Sequence, residues 1–312
     1  IGYQAMTTNT AGGIQNIALG NYALDGLTSG DSNVAIGYSS MSATVTGGQN
    51  TAVGNGAMEV LTTGATNTAI GYVALDALTT GSNNTAVGWS ALGATTTAND
   101  NTAVGKNSLL TNTTGYSNTA IGIYSLRQNT TGNNNVAVGQ SALLNNTTAD
   151  ENVAVGYNSA YNNTTGTRNI SIGAYAYENS DTESDNLAIG YEAMHTNTAG
   201  GTENIAIGNY ALDALTSGDD NTGIGYAVLG ELNTGSANVG IGNYAGDAIT
   251  SGDYNTAVGY GAATAISTSS NNTAVGANAL VSNSTGHRNV AVGHTALYSC
   301  TFSDNVGLGQ QA

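Results

Sequence analysis

The chain contains no proline, and it holds a single cysteine, a single phenylalanine, a single tryptophan and only four bases. Each scarcity removes a class of explanation. Cys300 has no second cysteine to pair with, so an intrachain disulfide is excluded, and it reads as a packed or edge residue. The bases Lys106, Arg127, Arg168 and Arg288 stand against 20 acids, for a net charge of -16. A nucleic-acid partner needs clustered Lys and Arg on its phosphates, and these four are scattered. No apolar run approaches the length of a membrane span, so membrane insertion of this segment is not expected. His195, His287 and His294 are the only histidines, and no acid pair recurs beside one of them. A nucleophile and base constellation cannot be assembled from these residues, so neither catalysis, cofactor nor metal is expected.

What the chain has in abundance is repetition. Asn101-Thr102-Ala103-Val104-Gly105 stands for a five-residue motif that closes on Gly20, Gly37, Gly54 and onward to Gly309. Nearly every interval is 17 residues; the exceptions are 18 (Gly2 to Gly20, Gly190 to Gly208) and 16 (Gly293 to Gly309). A fixed period of this length marks a solenoid, a single elongated unit whose core grows coil by coil. Residues 1–312 are therefore expected to form one continuous repeat array without separate domains. Charged residues make up 8%, and 44 glycines are present, a composition compatible with disorder. Strict columns of Val and Ile argue against that reading, because a disordered chain has no reason to keep them in phase.

Counting each repeat from its Asn, position 1 is Asn in all 18 repeats, position 3 is always small and position 4 is always Ile, Val or Leu. Position 8 is nearly always Ala or Ser, position 9 is usually Leu or Met, and positions 13 to 15 often read Thr-Thr-Gly. The β-branched residues of positions 1 to 4 predict a short strand, ended by a corner at the Gly. Positions 8 and 9 predict a second short strand or extended corner, and Thr-Thr-Gly a return turn. The fold class expected is all-β, a β-solenoid of about 18 coils with no helix beyond one turn. At the usual interstrand spacing, the coils would stack into a rod of roughly 85 Å. The extra residue at Gly13 and Gly201, within the Gly12-Gly13 and Gly200-Gly201 pairs, should bulge in a surface turn rather than enter a strand.

Two columns are expected to hold the ladder together. Stacked amides of Asn67, Asn84, Asn101, Asn118, Asn135 and Asn152 can hydrogen-bond from coil to coil. Gly71, Gly88, Gly105, Gly122, Gly139 and Gly156 would form the corner beside them. The strand itself is apolar on both faces: positions 2 and 4 point one way and position 3 the other. A thin solenoid has one interior and cannot cover both, so a second packing partner is implied. The simplest is another copy of the chain, in a parallel, in-register homotrimer. Val104, Ile121, Val138 and Val155, or the position-9 column of Leu109, Leu126 and Leu143, would line the interchain core.

Tyrosines follow the motif Gly at 3, 38, 72, 157, 191, 226 and 260, with Tyr22, Tyr124, Tyr175, Tyr210 and Tyr244 one place further on. Such a stripe fits either packing between chains, the preferred reading, or binding of a glycan. Acids gather at Asp25, Glu59, Asp76, Glu178, Asp213 and Asp247, and again in the return turn at Asp31, Asp150, Asp185, Asp219, Asp253 and Asp304. They lack the spacing of calcium-binding β-rolls and are read as a solvated face. Residues 1–38 and 189–226 nearly repeat one another, down to the shared insertion, so array length has changed by copying blocks of coils.

Asn67-Thr68-Ala69-Ile70-Gly71-Tyr72-Val73-Ala74-Leu75 resembles the head repeat of YadA-like trimeric autotransporter adhesins. It is closer still to arrays in bacteriophage tail fibres and bacterial surface fibres. The resemblance covers essentially the whole chain and implies a trimeric β-roll with left-handed coils. It further implies an extracellular structural or adhesive role on a cell surface or virion, with any host-surface or glycan receptor engaged by parts outside this segment. The export signal, anchor and tip are expected to lie outside it too. The alternative from the residues alone is an ice- or surface-binding solenoid that uses repeated Thr ladders.

Overall fold

The computed structural model describes residues 1–9 and 11–312; Thr10 lies outside the described residues. Contacts divide the chain into two compact units, Ile1–Ala154 and Val155–Ala312. Each is an all-β parallel solenoid. Among the described residues there are eighteen three-residue strands, from β1 (Ile17–Leu19) to β18 (Val306–Leu308), and no helix. Hence no helix is long and apolar enough to cross a membrane.

Strands pair with the next repeat's strand in full register. In the first unit Thr102, Ala103 and Val104 of β6 (Thr102–Val104) face Thr119, Ala120 and Ile121 of β7 (Thr119–Ile121). In the second unit β11 (Leu187–Ile189) pairs with β12 (Ile205–Ile207) in the same way, although 18 residues separate them. The additional residue is taken up outside the strands. Gly200, at φ 106°, projects where an added Cβ would meet nothing, and Gly12 does likewise. The insertion thus sits in a surface turn, with Gly12 and Gly200 carrying the excursion rather than their neighbours Gly13 and Gly201.

The interior is filled by position 3, position 8, position 9 and position 12. Ala103, Ser108, Leu109 and Asn112 are all fully buried, as are Ala69, Ala74, Leu75 and Leu78. Position 12 changes character along each unit. It is Leu at 61 and 78, then Asn at 112, 129 and 146; in the second unit it is Leu at 215 and 232 and Ile at 249 and 266. At Asn112, Asn129 and Asn146 the buried amides bond to one another: Asn129 Nδ2 donates to Asn112 Oδ1 at 2.9 Å and to the carbonyl of Gly132 at 2.9 Å, and Asn146 Nδ2 to Asn129 Oδ1 at 2.9 Å.

The second strand expected at positions 8 and 9 does not form. Positions 7 and 9 both take positive φ, for example Asn107 at 56° and Leu109 at 48°, which no pleated strand accommodates. The segment turns twice and still hydrogen-bonds to the next coil: the Leu109 N–H donates to the Ser125 carbonyl at 3.1 Å. A third left-handed residue, such as Ser117 at 55°, precedes the Asn. Each such residue costs about 1–2 kcal/mol in isolation. It persists because its neighbours above and below hold the same conformation and pair with it.

Candidate functional site

The Asn column clasps each coil closed and links it to the next. Asn101 Nδ2 donates to the Gly115 carbonyl of its own repeat at 2.9 Å and to Asn84 Oδ1 at 3.3 Å. Its Oδ1 accepts the backbone N–H of Asn118 at 3.0 Å. The pattern holds for Asn67, Asn84 and Asn135, and Asn118 Nδ2 likewise donates to the Gly132 carbonyl while its Oδ1 accepts the Asn135 N–H. Asn152 is buried and donates its N–H to Asn135 Oδ1. Beside it, the motif glycines stand at φ near 130–140° and press against the next coil. A Cβ on Gly105 would lie 2.4 Å from the Gly122 carbonyl oxygen, and Gly71, Gly88 and Gly122 are as crowded. Gly139 and Gly156 share the conformation, at φ 136° and 140°.

The strand's two faces are resolved by this packing. Position 3 points into the coil, and positions 2 and 4 point out. The sequence left two columns as candidates for an interchain core. Leu109, Leu126 and Leu143 are fully buried inside their own coils, so they are not available to another chain. Val104 and Val138 are half-buried on the outer face, as is Val155, and Ile121 is 41% exposed there. The exposed outer face continues through Ile70 in the first unit and Ile172, Ile224 and Ile241 in the second.

The tyrosines line up around the corner from this face. In the second unit Tyr157, Tyr175, Tyr191, Tyr210, Tyr226, Tyr244 and Tyr260 form one continuous edge-to-face ladder, with centroids 5.2 to 6.0 Å apart. The rings come alternately from position 6 and position 7, which is why two staggered tyrosine series appear in the sequence. Each such pair contributes roughly 0.5–1.5 kcal/mol beyond the area it buries. In the first unit a shorter ladder joins Tyr3, Tyr22 and Tyr38, and Tyr72 packs on Trp89. There the chain's own cations complete the stripe: Lys106 Nζ lies 4.5 Å from the Trp89 ring centroid, and the Arg127 guanidinium 5.4 Å from that of Tyr124.

The return-turn acids have a role that a solvated face does not describe. The side chain at position 16 accepts the backbone N–H of position 16 in the preceding coil. Asp31 serves Ile14, Asp150 serves Asn133, Asp219 serves Thr202 and Asp253 serves Ser236, at 2.6 to 2.8 Å. Ser, Asn and even His287 do the same elsewhere, the His287 Nδ1 accepting from Ser270 at 3.0 Å. Sequence reading missed this column because its common feature is an acceptor, not a residue type. Asp185 and Asp304 instead pair with Arg168 and Arg288 of the preceding coil, which holds both carboxyls below their ordinary value. At position 10, burial pushes Asp76, Asp213 and Asp247 upward, with nearby Glu59 or Glu231 adding to the effect.

Among the described residues no group of three or more His, Cys, Asp or Glu side chains is arranged to hold a metal. The chain matches no known protein family, no curated protein and no solved structure.

Proposed function

We propose that the chain is the structural shaft or head of an extracellular fibre, assembled as a parallel, in-register homotrimer of left-handed coils on a cell surface or virion. The observation that carries this reading is the outward row of positions 2 and 4. Position 4 is aliphatic along both units, yet Ile121 and its counterparts stay exposed in the single chain. Covering one such side chain is worth roughly 1.5–3 kcal/mol, and the row supplies one or two in every coil. A threefold axis lets three copies cover one another's rows without leaving a free face. The motif likeness to YadA-like heads and to phage and bacterial fibre repeats supports the same assignment. No step in it requires catalysis.

The test is the variant Ile121→Asp combined with Val138→Asp. Each adds an unpaired charge to the covered face at a cost of several kcal/mol, so assembly should be lost while the solenoid's β-rich circular dichroism is kept. Assembly unchanged in the double variant would reject the proposed interface.

One observation favours a second reading. Thr51, Thr68, Thr85, Thr102 and Thr119 form an unbroken, in-register row on the same outer face of the first unit. A regular hydroxyl row at sheet spacing is suited to ordered water. Thermal hysteresis in a freezing assay would support ice binding, and its absence would dismiss it.

A further inference from the structure

Acids stand beside the aromatic stripe in both units, at Asp25, Glu59 and Asp76 in the first, and the first unit also sets cations of its own against the rings. In the first unit Arg127 occupies position 10 and its guanidinium lies by Tyr124, while Lys106 caps Trp89. In the second unit the same position is aspartate, at Asp213 and Asp247, with Glu231 next to it. These three acids and Tyr210, Tyr226 and Tyr244 line one surface hollow of about 370 Å³. Asp247 Oδ1 is enclosed there and has no hydrogen-bond partner. Both arginines of the second unit are engaged elsewhere, Arg168 with Asp185 and Arg288 with Asp304, each at 2.6 Å. The burial that raises Asp213 and Asp247, reinforced by the charge of Glu231, is consistent with negative charge left uncompensated.

We propose that the Tyr210, Tyr226 and Tyr244 rings together with Asp213, Glu231 and Asp247 bind the lysine and arginine side chains of an extended basic polypeptide. The chain itself displays the contact twice, a cation on a ring of this stripe, in the first unit. Aromatic faces attract ammonium and guanidinium groups, and a carboxylate within reach strengthens the attraction. The ladder continues over seven rings at a regular step, so an extended chain with repeated cations engages several rings at once and gains from multivalency.

The experiment is fluorescence anisotropy of a labelled oligolysine titrated with the intact protein, at low and at physiological salt. Saturable binding that weakens with salt is expected. Asp213→Asn, Glu231→Gln and Asp247→Asn combined should weaken it about tenfold or more, and Tyr226→Leu severalfold. A control triple, Asp31→Asn, Asp150→Asn and Asp220→Asn, removes the same charge elsewhere and should bind as the parent does. Glu231 is exposed, so Glu231→Gln alone tests the site without risk to folding and should weaken binding measurably. Absence of saturable binding would overturn the proposal. So would equal losses in the two triples, which would reduce the effect to net charge, or full binding by Tyr226→Leu. Spermine competing as well as the peptide at equal amine concentration would replace the polypeptide with a small polyamine and overturn the choice of partner.

Discussion

Single residues are most constrained where one coil's backbone meets the next. Gly105 has φ 136° and no space for a Cβ, since the Gly122 carbonyl oxygen would stand 2.4 Å away. Gly105→Ala therefore combines backbone strain with a backbone clash, and a loss above about 2 kcal/mol is expected in denaturant unfolding. Gly230→Ala is the control. Its Cβ would meet nothing closer than 3.4 Å, its φ is ordinary, and a change within about 0.5 kcal/mol is expected. The clasp gives a second residue-scale test. Asn101→Asp keeps an acceptor for the Asn118 N–H but discards both donors and buries a charge. It should cost more than Asn101→Ala, which leaves the Asn118 N–H without its partner at about 1–3 kcal/mol, while the Gly115 carbonyl keeps the Asn112 amide. Equal stability of the two variants in urea would contradict the clasp.

At the scale of the element, the return turn is a ladder in its own right. Asp253 accepts the Ser236 N–H at 2.8 Å, while the neighbouring column carries Asp220 on the exposed surface. Asp253→Ala should lower stability by about 1 kcal/mol and Asp220→Ala should leave it unchanged, as read by thermal unfolding. The position-10 acids set the response to pH. Asp76, Asp213 and Asp247 are raised in the folded chain above the ordinary 3.8, so the folded state binds protons more readily than the unfolded one. Their penalty is present in full above the raised values. It is relieved as pH falls through them, and the relief is complete below 3.8. Asp185 and Asp304 act oppositely, but both ion pairs are exposed and screened. The unfolding temperature should therefore rise as pH falls from neutral through the raised values. Asp213→Asn should flatten that rise and Asp220→Asn should not; identical profiles for the two would contradict the assignment.

The strand was legible in advance because its information is periodic. Thr102, Ala103 and Val104 alternate in size and polarity, and alternation translates directly into inward and outward faces. That the insertions lie in a surface turn followed from the same register, although Gly12 and Gly200 carry them rather than Gly13 and Gly201. The corner after the strand was not legible. Leu92, Leu109 and Leu126 hold φ near 50°, a conformation that leucine alone disfavours. It is imposed by hydrogen bonds to identical corners in adjacent coils, and no local propensity encodes that. The candidate surface was legible in part. That the strand has a second apolar face could be read from residues 2 to 4, but whether that face or the position-9 column lay outside could not. Leu109 and Ile121 have the same chemistry, and only the positive-φ turn at position 9 sends the leucine inside. The alternation of Tyr191 with Tyr175 and Tyr210 likewise became one ladder only once the corner geometry placed positions 6 and 7 side by side.

For the whole molecule, the account turns on whether copies of the chain cover the outer row. A net charge of -16 opposes casual association, so the proposed assembly rests on in-register burial of the row. The interior is already complete within one chain, as the full burial of Ala103, Leu109 and Asn112 indicates, so the coil does not need a partner to close. What a partner adds is cover for Ile70, Ile121 and their counterparts. Sedimentation velocity on the unmodified chain at micromolar concentration measures this most directly. A single species of three times the chain mass of 31.0 kDa is expected, persisting on dilution. A soluble species of one chain mass would contradict it.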